Sequence, residues 1–100
     1  MLDKLDHVAV SVTDIAAAVN WYKSKFNCNV VYQDDTWAML EFSNARLALV
    51  IPEQHPPHVA VVRSDAEIFG NLTTHRDGTR SVYVRDPFGN AVEVMAEDHL

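Results

Sequence analysis

Two histidines and one glutamate are the residues of this sequence whose types and positions suit metal binding. His7 opens a His-Val-Ala-Val run that recurs at His58, 51 residues later (58 − 7 = 51), and Glu93 stands between two valines. Two imidazoles and one carboxylate are the usual ligands of a non-haem Fe(II) site with open positions, although imidazole also binds Zn, Ni and Mn. The pattern therefore predicts a divalent metal, Fe(II) favoured, on His7, His58 and Glu93.

A second recurring motif indicates an internal duplication. Residues 42–45 (Phe-Ser-Asn-Ala) resemble residues 88–91 (Phe-Gly-Asn-Ala) at an offset of 46 (88 − 42 = 46). Two matches in the same order favour duplication, which could also have copied a structural histidine. Under this offset Glu93 corresponds to Leu47, which has no ligand atom. Three protein ligands would leave positions for water or substrate, as in catalytic rather than structural sites.

Each copy has the pattern strand, helix and three further strands. Thr13-Asp14 is a helix N-cap signal before an amphipathic run, and Asp77-Gly78 is a hairpin signal. The predicted strands are residues 6–12, 30–33, 37–42, 46–51, the run from 58, 81–85 and 91–96, and the second helix lies near residues 65–72.

The fold class that follows is α+β, with two βαβββ repeats forming one curved, mostly antiparallel sheet. Residues 1–100 are expected to be a single domain, with repeat one at residues 1–51, a proline-containing linker at 52–57 and repeat two at 58–97.

The alternation of side chains along a strand sorts the three candidate ligands onto matching faces. In the first and fifth strands the histidine shares its face with small residues, and valines occupy the other face. In the last strand Glu93 shares its face with Met95, and two valines lie opposite. We expect the valine faces to pack under the helices and the histidine faces to border a cavity, where a buried glutamate needs a partner.

The overall charge of the chain argues against polyanionic partners. The net charge is −6 and no cluster of Lys or Arg offsets it, which disfavours nucleic acid and anionic membranes and leaves a small-molecule substrate. The start lacks a signal-peptide pattern, and no apolar stretch is long enough to span a membrane, so a cytoplasmic location is expected. Exposed sheet edges and small size favour a homodimer.

Two segments resemble the vicinal oxygen chelate superfamily, which includes glyoxalase I, extradiol dioxygenases, fosfomycin-resistance enzymes and bleomycin-binding proteins. They are residues 6–22, which include Asp-His-Val-Ala-Val-Ser-Val and Ile-Ala-Ala-Ala-Val-Asn-Trp-Tyr, and residues 86–93, Asp-Pro-Phe-Gly-Asn-Ala-Val-Glu. The resemblance covers nearly the whole chain and places metal ligands on His7, His58 and Glu93. It implies the fold and not the activity, because this fold hosts lyases, oxygenases, transferases and metal-free binders.

A longer pattern resembles the extradiol dioxygenase signature. It runs from Thr-Thr-His at residues 73–75 through Tyr83 and residues 86–89 to Glu93. The resemblance implies that His75 and Tyr83 are catalytic residues that line the substrate and O2 pocket, where such a pair can donate hydrogen bonds to a catecholate and steer proton transfer. His75 could equally be a surface residue beside the hairpin turn, and Tyr83 plain cavity lining.

One departure from that family concerns its acid-base histidines. The chain keeps Asn-Ala-Arg at residues 44–46 and then has Leu47 and Ala48 where extradiol enzymes carry two histidines. Leu47 also departs from glyoxalase I, which has a glutamate ligand in its first copy.

Three functions remain open from the sequence. The first is an extradiol-dioxygenase-like oxidoreductase, the second a glyoxalase-like lyase or isomerase in which Glu93 would also act as base, and the third a non-enzymatic small-ligand binding module. Trp21, Trp37 and Phe88 would be the stacking candidates of such a module. His55 and His99 are expected to be solvent-exposed and have no assigned role.

Overall fold

A computed structural model of the protein describes residues 1–97. The chain divides into two compact units. We call residues His7–Pro57 the first unit, and Met1–Asp6 together with the residues from His58 onward the second unit. None of the helices in the described part of the chain is long and apolar enough to cross a membrane.

The first unit contains four strands and one helix. The strands pair in the order β2-β3-β4-β1, with β1 and β4 parallel and the other pairs antiparallel. The elements are β1 (Lys4–Ser11), which begins in the segment Met1–Asp6, α1 (Ile15–Lys25), β2 (Asn29–Gln33), β3 (Trp37–Glu41) and β4 (Arg46–Val50).

Helix α1 begins where the sequence predicts. The Asp14 side chain accepts a hydrogen bond from the backbone N–H of Ala17 at 3.0 Å, which satisfies a donor that the first helical turn leaves open. Ile15 and Val19 are buried and pack on Leu40 and Leu49 of the sheet. Helix α1 thus covers one face of the first unit with the apolar stripe that its sequence spacing indicates.

The turn between β2 and β3 is organised by Asp34. Its Oδ1 accepts hydrogen bonds from the backbone N–H groups of Thr36 at 2.7 Å and Trp37 at 3.0 Å and from the Thr36 hydroxyl at 2.9 Å, and its Oδ2 accepts one from the Tyr32 hydroxyl. Partial burial acts to raise the pKa of Asp34, but the hydrogen bonds from Tyr32, Thr36 and Trp37 outweigh it and hold this pKa well below its usual range.

Replacing Asp34 with asparagine should therefore destabilise the protein in a pH-dependent way. A depressed folded-state pKa contributes stability that is present above the unfolded pKa of about 3.9 and is lost as the pH falls toward the folded-state value. We expect Asp34→Asn to lower the free energy of unfolding by about 1 to 2 kcal/mol at neutral pH, and by less in acid. Urea unfolding at neutral and acidic pH measures this, with the exposed neighbour Asp35→Asn as control. A difference between Asp34→Asn and wild type that is the same at both pH values would contradict the assignment.

The second unit repeats the strand order with a much shorter helix. Its strands pair in the order β5-β8-β7-β6, with β5 and β8 parallel and the other pairs antiparallel. The elements are β5 (His58–Arg63), a 3-10 helix (Ala66–Phe69), β6 (Thr73–Thr74), β7 (Arg80–Arg85) and β8 (Ala91–Ala96).

The predicted helix near residues 65–72 is wrong in length and type. Only Ala66–Phe69 is helical, as a single 3-10 turn whose Ala66 is buried against Val94 and Ala96. Gly70 ends it with a φ of 147°, and a Cβ added there would lie 2.9 Å from Cγ2 of Val82. Both the backbone angle and the close approach require glycine, so the chain turns away from a helix at this point.

The N-terminal segment is tied to the second unit by Arg63. Its Nη1 lies 3.1 Å from Oδ2 of Asp3, its Nε lies 2.8 Å from Oδ1 of Asp65, and its guanidinium stands over the Phe69 ring at 5.5 Å. These ion pairs are largely solvent-exposed, so each contributes little stability. The contact with Asp3 links the segment that leads into His7 to β5.

The α+β class and the βαβββ order are confirmed, with the 3-10 helix in place of the second α-helix. The valine faces are covered only in part, because Val8 and Val59 remain 40% and 38% exposed. His55 is half-buried rather than exposed, and His99 lies outside the described residues.

The three aromatic residues that were candidates for ligand stacking differ in their surroundings. Trp37 stacks on Tyr32 with ring centroids 4.2 Å apart, beside the buried cluster of the first unit. Trp21 and Phe88 are exposed.

Candidate functional site

Buried polar side chains interrupt the apolar sheet of the second unit on the face opposite the 3-10 helix. His58 on β5, Ser81 on β7 and Glu93 on β8 are 8%, 1% and 5% exposed. Strand alternation turns the valines of β7 and β8 toward the helix, where they pack in one cluster with Ala66. Polar groups this deeply buried are costly unless they are hydrogen-bonded, so their partners define what the site can do.

Glu93 is the centre of this group. Its Oε1 lies 3.0 Å from Nε2 of His58, and its Oε2 accepts a hydrogen bond from the Ser81 hydroxyl at 2.6 Å. Nε2 of His75 lies 2.6 Å from Oγ of Ser81 and 3.4 Å from Oε2 of Glu93. We call His58, His75, Ser81, Tyr83 and Glu93 the Glu93 cluster. In residues 1–97 no buried side-chain nitrogen or oxygen lacks a hydrogen-bond partner.

Tyr83 enters the cluster through strand register. It pairs directly with Glu93 across β7 and β8, and its ring meets the His58 ring edge-on with centroids 5.1 Å apart. Burial raises the pKa of Tyr83, and the negative charge of Glu93 raises it further. Because the residue is also 37% exposed, its protonated phenol is accessible as a hydrogen-bond donor.

His75 reaches the cluster through the β6–β7 hairpin. Its backbone N–H donates to the Thr79 carbonyl at 2.7 Å, and its carbonyl accepts from the Gly78 N–H at 3.0 Å. Asp77 completes the turn by accepting hydrogen bonds from the backbone and hydroxyl of Thr79. The Asp77-Gly78 signal thus correctly predicted a hairpin, and the hairpin directs the His75 side chain, 23% exposed, onto Ser81 rather than into solvent.

His7 is buried on β1, 5% exposed, and pairs with Arg46 of β4 in the first unit. It is the residue at which the chain leaves the segment Met1–Asp6 of the second unit and enters the first. Its role as a metal ligand stays a prediction.

The internal register of each unit corrects the expected counterpart of Glu93. In the first unit Ala9 pairs with Ala48, and in the second Ala60 pairs with Glu93. Ala9 and Ala60 are repeat counterparts, because their separation is the 51 residues of the histidine repeat (60 − 9 = 51). The counterpart of Glu93 is therefore Ala48 and not Leu47. Ala48 has no ligand atom either, so the argument for three protein ligands is unchanged.

The error of one residue comes from where the two similar tetrapeptides lie, because residues 42–45 end just before β4 whereas residues 88–91 end on the first residue of β8. The turn before β4 has residues 42–45, and the turn before β8 has residues 86–90, one residue more. Asp86 organises the longer turn by accepting hydrogen bonds from the backbone N–H groups of Phe88 and Asn90, both at 2.9 Å. The similar tetrapeptides therefore occupy positions that differ by one residue relative to the strands.

The same strand register shows that equivalent positions of the two units carry different types of residue. Met39 pairs with Ala48 as Tyr83 pairs with Glu93, and Trp37 precedes Met39 by two residues as Ser81 precedes Tyr83. In the first unit this face is an apolar cluster of Ala9, Met39, Ala48 and Val50 with Tyr32 and Trp37. Apart from His7, the buried polar side chains of the described residues therefore lie in the second unit.

The donor atoms of the second unit suit a divalent metal ion. His58 and Glu93 each offer a ligand atom, an imidazole nitrogen and a carboxylate oxygen, which Fe(II), Zn, Ni and Mn all accept. The hydrogen bond from Ser81 to the other carboxylate oxygen is the kind of contact that orients a ligand. Ser81 was missed as a functional residue, and the available signal was a serine on the same strand face as Tyr83, opposite Val82 and Val84.

The fold and the buried His–Glu pair define a class of protein with paired βαβββ units and a candidate metal site. The chain matches the family model of the Glyoxalase/Bleomycin resistance protein/Dioxygenase superfamily over residues 4–64, more than half of its length. The protein belongs to this superfamily, and the resemblance drawn from its sequence is confirmed.

Solved structures from several bacteria share the fold. Streptomyces coelicolor methylmalonyl-CoA epimerase, in complex with 2-nitronate-propionyl-CoA, superposes with a TM-score of 0.76 at 16% identity, covering 96% of this chain and 95% of that one. A hypothetical protein from Bacillus halodurans C-125 gives 0.74 at 14% identity, with 97% and 96% covered. A superfamily member from Vibrio splendidus 12B01 gives 0.71 at 12% identity, with 96% and 100% covered. A search of curated proteins found no match. At these identities the similarity establishes the fold alone.

Proposed function

We propose that this protein is a divalent-metal-dependent enzyme that binds a small substrate through two adjacent oxygens, with extradiol-dioxygenase-like cleavage of a catechol as the reaction. The observation that carries the proposal is the Glu93 cluster, in which a possible ligand pair, His58 and Glu93, adjoins two further hydrogen-bonding side chains, His75 and Tyr83. His7, His58 and Glu93 would bind the metal, with Fe(II) favoured over Ni, Zn or Mn.

Three observations support His7 as the third ligand. It is buried although it is a polar residue on a strand. It occupies the repeat position of His58 and shares a strand face with Ala9, as His58 does with Ala60. His7 also directly follows Asp6, which is the last residue of the N-terminal segment of the second unit, the unit that contains His58 and Glu93.

The protein's own groups would bind and orient the substrate. When bound, the metal supplies Lewis-acid polarisation of the substrate oxygens and, as iron, redox chemistry. Tyr83 stays protonated because its pKa is raised, so it can donate a hydrogen bond to a substrate oxygen. Within the Glu93 cluster, His75 is the imidazole that is not a proposed metal ligand and would exchange a proton with the substrate. Leu47 and Ala48, at the positions of the two histidines of extradiol enzymes, have no titratable group.

The two alternatives rest on different features of the same cluster. A glyoxalase-like lyase or isomerase would use Glu93 as a base, but both of its oxygens are engaged, one with His58 and one with Ser81. A metal-free binding module is favoured by one observation, which is that each buried side-chain nitrogen and oxygen in residues 1–97 has a hydrogen-bond partner within the protein. It is therefore the second candidate.

Oxygen uptake by iron-loaded protein tests the proposal. Protein loaded with Fe(II) without oxygen should hold one iron per chain and consume O2 when catechols are added, whereas Zn-loaded protein should not consume O2, because zinc has no redox chemistry. Metal binding without O2 uptake would favour the lyase, and failure to bind any divalent metal would leave the binding module.

Location and assembly are part of the same proposal. We propose a cytoplasmic homodimer. The single cysteine, which cannot form an intramolecular disulfide, suits a reducing compartment, and the small size of the chain favours dimerisation.

A further inference from the structure

We infer that Ser81 is a positioning residue that makes Glu93 bind the metal through a single oxygen, an inference that rests on the proposed metal site. The two oxygens of Glu93 have different neighbours. Oε1 lies 3.0 Å from Nε2 of His58, and Oε2 accepts the Ser81 hydroxyl proton at 2.6 Å. The oxygen beside the histidine is thus the one that can turn to a metal, while Ser81 holds the other.

The serine hydroxyl is held in this role from its other side by His75. A hydroxyl group has one proton, and here the carboxylate takes it. Nε2 of His75, 2.6 Å from Oγ of Ser81, must then carry its own proton and donate to the serine oxygen. Ser81 therefore uses its donor and its acceptor capacity at once, so its hydroxyl cannot rotate away from Glu93 without losing a bond.

Because the site is buried, solvent cannot replace the Ser81 hydroxyl as the hydrogen-bond donor to Oε2 of Glu93. Ser81 is 1% exposed and Glu93 is 5% exposed, so bulk water does not reach the bond between them. Of the three hydrogen-bonded residues His75, Ser81 and Glu93, only His75 is partly exposed. Removing the hydroxyl would break the 2.6 Å hydrogen bond to Oε2 and leave this oxygen the longer 3.4 Å contact with Nε2 of His75.

The consequence concerns how many metal positions Glu93 occupies. A carboxylate bound through one oxygen takes one position, and a carboxylate bound through both takes two. Three protein ligands that each take one position leave the remaining positions for a substrate that binds through two oxygens. Ser81 would keep those positions open by holding Oε2 back.

The test compares metal binding by the wild type, Ser81→Ala, Ser81→Thr and the control Ser24→Ala. Ser24 is exposed on α1, where its hydroxyl donates to the Trp21 carbonyl. The dissociation constant for Zn is measured by chelator competition, and the visible spectrum of the Co(II)-loaded protein reports the coordination number. We expect Ser81→Ala to weaken Zn binding about 10- to 100-fold and to change the Co(II) spectrum, and Ser81→Thr and Ser24→Ala to match the wild type.

Each other outcome decides the matter. Equal Zn affinity and an unchanged Co(II) spectrum in Ser81→Ala would overturn the role of Ser81 while the metal site stands. A Ser81→Thr variant that behaves like Ser81→Ala would also overturn it, because side-chain size and not the hydroxyl would then be responsible. A wild-type protein that binds neither metal would overturn the proposed function and this inference with it. Urea unfolding of the metal-free variants checks that they are folded.

Discussion

Replacing Glu93 with glutamine should abolish tight metal binding while the protein remains folded. Glutamine has nearly the shape of glutamate and can still accept the Ser81 hydrogen bond, but it carries no charge to offer a divalent ion. Losing a ligand should exceed the effect of losing a supporting residue, so we expect metal affinity to fall by more than about 100-fold. Metal content after dialysis and calorimetric titration with Zn or Fe(II) measure the loss.

The matched control for this prediction is Glu67→Gln. Glu67 is an exposed carboxylate on the 3-10 helix of the same unit, so the charge change is identical and the site is untouched. This control should bind metal like the wild type. Wild-type metal content in Glu93→Gln would show that the buried carboxylate is structural, and the metal site would have to be abandoned.

Replacing Tyr83 with phenylalanine should lower kcat for the proposed reaction by about 100-fold, the lower end of what a positioned proton donor contributes. Phenylalanine keeps the ring against His58 and removes only the hydroxyl that would contact the substrate. Metal content should be unchanged, because the hydroxyl is not a ligand. Steady-state kinetics of the iron-loaded protein measure kcat and KM separately.

The pH dependence of the Tyr83→Phe effect is a further part of the same prediction. Burial and the charge of Glu93 raise the pKa of Tyr83, so its phenol stays protonated through the neutral range. The ratio of wild-type to variant kcat should thus be constant between about pH 6 and 8, far below the ordinary tyrosine pKa. Tyr22→Phe, on α1, is the control. An unchanged kcat would make Tyr83 a plain lining residue.

Most of the fold could be predicted because its signals are local. The cap at Asp14, the Asp77-Gly78 turn and the alternation along β8 each depend on neighbours in sequence. The second helix could not be predicted, because its end depends on the contact between Gly70 and Val82, which are brought together only by folding.

The candidate site, too, could be predicted only where its signals are local in the sequence. Strand parity correctly placed His58 and Glu93 on the face opposite the valines. The contact of His75 with Ser81 depends on how the β6–β7 hairpin folds back, which no spacing reveals. The counterpart of Glu93 was misplaced because the two similar tetrapeptides lie one residue apart relative to the strands that follow them. A shift of one residue in a strand reverses the face on which a side chain lies.

The apolar face of the first unit has a consequence for how a duplicated protein can diversify. Apart from His7, the buried polar side chains of residues 1–97 lie in one copy, whereas the other copy has an eleven-residue helix and an apolar cluster at equivalent positions. The copy with the apolar cluster can supply folding stability to the molecule. Substitutions that change the chemistry of the polar copy are then less able to unfold the protein. Different reactions can therefore evolve on the same scaffold.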